Sequence, residues 1–106
     1  MLSDQIDCSP EELEETARKL KVCGHPVRLR LLCLIAKNEE PCVSELWVCL
    51  SQPQPVVSQH LAVLKDRGIV KSEVQGNRRV YSIIDPFVRS MVASLASLHH
   101  SEVPQT

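Results

Sequence analysis

The run from Cys42 to Tyr81, CVSELWVCLSQPQPVVSQHLAVLKDRGIVKSEVQGNRRVY, constrains this chain more than any other part of it. Val43, Leu46 and Leu50 stand at i, i+3 and i+7, which predicts a short helix with one apolar stripe. Ser51 to Gln54 supplies a turn. Pro55 suits a first helical position and opens a second helix to about Arg67, with Val57, Leu61 and Leu64 facing inward and Gly68 closing it. Ile69–Val74 and Arg78–Ile84 read as two strands joined at Gln75-Gly76-Asn77. Helix, tight connection, helix and basic hairpin, in that order, predict a helix-turn-helix followed by a wing. Such a unit works through its surface rather than through a catalytic pocket.

The flanks extend the pattern. Ser9-Pro10-Glu11-Glu12 predicts a helix start, with Ser9 as cap, Pro10 at the first helical position and Glu12 completing a capping box. Acidic side chains there also suit the positive end of the helix dipole. Leu13, Ala17 and Leu20 stripe this helix and Gly24 stops it. Pro26 opens the next, whose apolar face is Val27, Leu31, Leu34 and Ile35, widened by Leu32 and Cys33 and ended by Asn38 and Pro41. Asp85-Pro86 opens a last helix to about His100, striped by Phe87, Met91, Leu95 and Leu98 and widened by Val88 and Val92. The expected fold is mainly α with a small β-hairpin wing: four helices, two strands and a fifth helix.

The 106 residues suffice for one small domain, to which a second subunit would add buried surface. Residues 9–100 form the expected DNA-binding and dimerisation domain, preceded by a flexible arm over 1–8 and followed by a disordered tail over 101–106. The formal net charge of −1 is not that of a non-specific nucleic-acid binder. Charge is uneven, however: Glu11, Glu12, Glu14 and Glu15 crowd the first helix, while Lys65, Arg67, Lys71, Arg78 and Arg79 gather in the second half. Phosphates respond to that local basicity. No apolar run reaches membrane-spanning length and no signal peptide opens the chain, so a cytoplasmic protein is expected. The five cysteines, Cys8, Cys23, Cys33, Cys42 and Cys49, are an odd number and are read as thiols rather than a disulfide framework.

The outward face of the fourth helix carries Gln54, Val56, Ser58, Gln59 and Ala62. Small residues allow entry to the major groove, and Ser58 and Gln59 offer hydrogen bonds to base edges. Lys65, together with Arg78 and Arg79 beside the hairpin tip, can reach phosphates or the minor groove. His60 has two readings, a phosphate contact or a support for the side of the helix. An enzyme is not expected, because the chain has no glycine-rich phosphate loop, no HExxH and no room for a cleft with acid and base partners.

Several of these motifs resemble the ArsR/SmtB family of bacterial repressors. Gly24-His25-Pro26-Val27-Arg28-Leu29-Arg30-Leu31-Leu32 resembles the family's DPxRLxIL helix, and Ser51 to Leu61 its SQPxVSxHL recognition element. Gly68-Ile69-Val70 and Gly76 to Tyr81 resemble its GLV and GRxVxY wing signatures. The resemblance runs from about Leu20 to Leu95. It implies a homodimer paired through the first and last helices, repression by binding a palindromic double-stranded operator, and release by a ligand or by thiol oxidation.

The resemblance also bears on the sensor. Cys42-Val43-Ser44-Glu45-Leu46 resembles the CVCDL thiolate motif of arsenic- and cadmium-type members, with Ser44 where the second cysteine stands. Some members add a cysteine from the N-terminal arm of the other subunit, which makes Cys8 with Cys42 the first-choice pair for As(III) or Cd(II). Cys49 lies ~10 Å farther along the same helix, too far to share one small ion with Cys42. Leu31-Leu32-Cys33-Leu34 resembles a segment of persulfide-sensing members, but their second cysteine, late in the last helix, is replaced here by His99 and His100. Cys23 and Cys33 also read as small buried apolar residues. A zinc set of Asp85, His99, His100 and Glu102 is out of the family's register, with Phe87 where histidine is needed. A winged helix that docks protein and has no inducer site is the remaining alternative.

Overall fold

The computed structural model describes residues 8–37 and 42–102, the last four and Val43 by backbone alone. Five helices, α1 (Pro10–Cys23), α2 (Pro26–Lys37), α3 (Val43–Leu50), α4 (Gln54–Asp66) and α5 (Pro86–Glu102), surround a hairpin of β1 (Val70–Gln75) and β2 (Arg78–Ile83). The order matches that expected from sequence. Residues 1–7 and 103–106, most of the expected arm and tail, lie outside the described residues, and α5 runs two residues past His100.

α2 is the hub, packing against α1, α3, α4, α5 and β2. Leu31 and Leu32 are completely buried and Ile35 nearly so, so this helix presents apolar surface over much of its circumference. Leu46 and Leu50 of α3, Val57, Leu61 and Leu64 of α4, and Val88 and Val92 of α5 close around it. Truncating one such leucine to alanine costs about 2–5 kcal/mol, a large part of a small domain's stability.

Local chemistry sets the ends of the elements. Ser9 Oγ accepts from the Glu12 N–H at 3.1 Å and the Ser9 N–H donates to Glu12 Oε1 at 2.9 Å, the predicted capping box. Gly24 ends α1 at φ −78°, outside the left-handed region; its value is spatial, since a Cβ there would sit 3.1 Å from the Leu20 carbonyl oxygen. The α3–α4 turn instead bends at Ser51, which has φ 55° and donates its N–H back to the Val48 carbonyl. α4 opens one residue earlier than expected, at Gln54. Gln75 pairs with Arg78 across the antiparallel hairpin, so the loop is only Gly76-Asn77, with Gly76 at φ 66°.

The last helix corrects one expectation. Val88 and Val92, expected only to widen the apolar stripe, are its completely buried residues. Phe87 and Leu98 of the main stripe are 37% and 53% exposed. Asp85 sets this rotation: its carboxylate accepts from the Val88 N–H at 2.9 Å and pairs with Lys19 of α1 at 2.7 Å. On α1, Leu13 and Leu20 are likewise exposed.

Two stability outcomes follow. Burial opposes ionisation of Asp85, but Lys19 and the backbone N–H groups outweigh it and hold the carboxyl below its ordinary value. A depressed acid contributes stability that is complete above its unfolded pKa, near ~4, and is lost as pH falls through the folded value. Urea unfolding across pH should therefore show Asp85→Asn destabilised at neutral pH and the gap to the parent narrowing below about pH 4. Ser51→Gly should raise stability by ~1 kcal/mol, because only glycine occupies φ 55° without steric cost; a lower melting temperature would contradict this.

Candidate nucleic-acid interface

α4 divides cleanly into two faces. Val57, Leu61 and Leu64 are buried, and the opposite stripe of Pro55, Ser58, Gln59, Ala62 and Lys65 is exposed. These residues stand at i, i+3, i+4, i+7 and i+10, so they form one continuous ridge. Gln54 is exposed at the first helical position, while Val56 is half-buried at the edge of the ridge. The ridge is narrow and short-chained, the shape required of a helix that enters a major groove.

The predicted basic pair on the wing splits. Successive strand residues point to opposite faces. Arg79 stands opposite Val74, which is 63% exposed, and donates to Ser72 Oγ at 3.1 Å. Arg78 turns toward α3, where its guanidinium lies 3.4 Å from Glu45 Oε1. This pairing across 33 positions had no signal in the sequence.

His60 lies half-buried on the flank of α4. Its Nδ1 accepts from Arg28 Nε at 3.2 Å, and its ring centre lies 4.5 Å from that of His25. Arg28 also donates to the Val22 carbonyl at 3.1 Å, so one guanidinium ties the end of α1 to α2 and α4. Burial first, then the neighbouring His25 and Arg28 charges, push the His60 pKa down. A neutral imidazole accepting from Arg28 matches the supporting reading of the two. His25 in turn accepts the Val27 N–H at 3.1 Å and so steadies the start of α2.

Cys42 occupies the N-cap position of α3 and pairs with Val80 of the wing in an isolated bridge. Its N–H donates to Glu45 Oε1 at 2.9 Å, and its Sγ lies 3.3 Å from Ser44 Oγ. The Ser44 hydroxyl and the Glu45 N–H favour the thiolate and lower the Cys42 pKa. Burial does the opposite at Cys23 and Cys33, whose thiols are pushed up. Cys8 is exposed just before α1. Among the described residues no three cysteine, histidine or acidic side chains come together as a metal set. Cys42 has the donor chemistry for a soft ion, then, but one chain does not complete a site. Asp85 is already engaged with Lys19, and the His99, His100 and Glu102 side chains lie outside the described residues.

The model of the arsR family of bacterial regulatory proteins matches residues 25–72, the span from α2 into the first wing strand. A helix-turn-helix transcriptional regulator of Methanocaldococcus jannaschii is 39% identical over 77% of this chain and 92% of its own length. This chain belongs to the ArsR/SmtB family. The structure of the antimony-specific repressor AntR superposes with a TM-score of 0.79 at 31% identity, over 95% of this chain and 92% of that one. The repressor PagR of Bacillus anthracis gives 0.74 at 32%, over 82% and 99%. The chain is therefore a DNA-binding transcriptional repressor of winged-helix fold and not an enzyme. None of its described helices is long and apolar enough to cross a membrane.

Among the thiols, the Cys42 environment gives a direct expectation. Thiolate absorbance followed against pH in single-cysteine variants should place Cys42 below the ordinary thiol range, and Ser44→Ala should move it up. A Cys42 titration unaffected by Ser44→Ala would contradict the assigned cause.

Proposed function

We propose that the protein is a homodimer that represses by reading a palindromic operator, α4 in the major groove and the wing alongside. The observation that carries this reading is the exposed Ser58-Gln59-Ala62 ridge, rigidly backed by buried Val57, Leu61 and Leu64. Gln54, Ser58 and Gln59 would face base edges, Val56 would make apolar contact, and Lys65 and Arg79 would meet phosphates. Arg78 would do so only on leaving Glu45. His60 would act by holding α4 in place. The exposed stripes of α1 (Leu13, Leu20) and α5 (Phe87, Leu98) are the apolar surface a second subunit would cover.

For the DNA claim, anisotropy with a duplex from the protein's own upstream region is the test. Gln59→Ala should cost about 1–3 kcal/mol on that site and little on unrelated duplex. Arg79→Ala should weaken both and reduce the salt slope by about one. Equal losses on both duplexes for Gln59→Ala would refute base reading by α4.

The inducer we propose is a soft metal or metalloid of the As(III) or Cd(II) kind, taken by Cys42 with Cys8 supplied across the dimer. Three observations support it: the lowered Cys42 pKa, the exposure of Cys8, and the similarity to an antimony-specific repressor over nearly the whole chain. Cys42 also adjoins the wing through Val80 and, through Glu45, Arg78, so occupation of its sulfur is felt on the DNA side. As(III) or Cd(II) should release reduced protein from the duplex, and Cys42→Ser should abolish the response. Full release of Cys42→Ser by either ion would sink this assignment.

A further inference from the structure

Among the described residues, the polar partners of His60 are basic. Its Nδ1 accepts the Arg28 Nε–H at 3.2 Å, which leaves the ring proton of the neutral form on Nε2. The His25 ring, its centre 4.5 Å away, accepts the Val27 N–H through its own Nδ1 at 3.1 Å. No carboxylate of the described residues pairs with Arg28 or with either ring. The charges on the other elements packed against α4 are engaged elsewhere: Lys19 of α1 pairs with Asp85, Glu45 of α3 with Arg78, and Lys71 and Glu73 of β1 with each other. The Cys23 thiol at the end of α1 also lies in the field of Arg28.

We propose that Arg28 and His60 form a proton-sensitive clamp that positions α4, so that mild acidification loosens the protein's hold on its operator. The inference rests on the reading of α4 as the DNA-reading helix. Arg28 is the positioning residue: its guanidinium reaches the Val22 carbonyl at 3.1 Å with one nitrogen and His60 with another. A rigid planar fork makes both bonds at once, which the single ammonium of a lysine does not.

The clamp holds only the neutral ring. The arginine guanidinium is always protonated, so its Nε–H needs an acceptor. A proton taken from solvent onto His60 Nδ1 turns that acceptor into a donor facing a donor. It also sets an imidazolium beside a guanidinium and next to the His25 ring. Burial, His25 and Arg28 already hold the His60 pKa below the ordinary imidazole value of about 6.5. An α4 freed from Arg28 returns the ring to that ordinary value and so binds the proton more tightly. Acid therefore favours the freed helix: the clamp is complete above about pH 6.5 and weakens as pH falls from there toward the clamped value.

The consequence follows from where His60 sits. It adjoins Gln59 on the same turn of α4 as Ser58. Val57, Leu61 and Leu64 keep the helix on the core, but it loses its lateral tie to α2 and the end of α1, and the ridge is held less firmly. Hydrogen bonds to base edges depend on that placement. The sign is diagnostic, because the general gain of positive charge on acidification strengthens attraction to phosphates, whereas the clamp predicts a loss.

The test measures affinity of the full-length reduced protein for a duplex from its own upstream region at about pH 7.5 and about pH 5.5, at constant ionic strength. The parent should bind roughly fivefold more weakly at the lower pH. His60→Asn, whose amide oxygen accepts from Arg28 without titrating, should match the parent at the higher pH and lose the acid effect. Arg28→Lys should bind more weakly at the higher pH and lose little more on acidification. Ring resonances followed by NMR in the absence of DNA should show His60 titrating below the ordinary imidazole range in the parent and within it in Arg28→Lys. That second readout keeps failure of the clamp distinct from failure of the DNA reading. A parent affinity that holds or rises on acidification, an acid loss that persists in His60→Asn, or a parent His60 ring that titrates in the ordinary range would each overturn the proposal.

Discussion

Burial of Leu31, Leu32 and Ile35 on α2 is the constraint to which the rest of the molecule is fitted. Every other helix and the second wing strand pack on this one helix. α4 cannot rotate without exposing Leu61 or Leu64, and so its Ser58-Gln59-Ala62 ridge has a single available direction. Recognition chemistry on such a ridge needs no contribution from the residues that point it. That separation lets a short chain with a net charge of −1 hold a specific surface in place.

Electrostatics then refine what packing has placed. The net charge of −1 gives no long-range pull toward DNA, so affinity rests on a few located cations. Arg28 is spent inside, tying α1, α2 and α4 through Val22 and His60. Arg78 is held by Glu45, whose carboxylate also receives the Cys42 N–H. A thiol, a carboxylate and a wing guanidinium thus meet at the start of α3. The Cys42 sulfur and the wing hairpin are therefore joined by a short chain of contacts.

Most of the fold was legible in the sequence because it is written in local rules. Ser9 and Glu12 cap α1 as their spacing implies, Gly76-Asn77 turns the hairpin, and the Val57-Leu61-Leu64 stripe is the buried face of α4. What was not legible is non-local. The phase of α5 is set by Lys19 reaching Asp85 from another helix, which buries Val88 and Val92 in place of the longer Phe87 stripe. The Arg78–Glu45 pair likewise joins distant positions with no common motif. The hydrogen bond from Arg28 to His60, 32 positions apart, had no signal in the sequence either.

The most direct test of the account is residue-resolved. Amide chemical shifts of isotope-labelled protein would be followed during titration with a duplex from its own upstream region, in reducing, metal-free buffer. The account predicts the largest changes along Ser58, Gln59 and Ala62 and from Gly76 to Arg79, with the α2 core amides nearly still. Changes confined to the exposed faces of α1 and α5, with α4 and the wing unmoved, would contradict it.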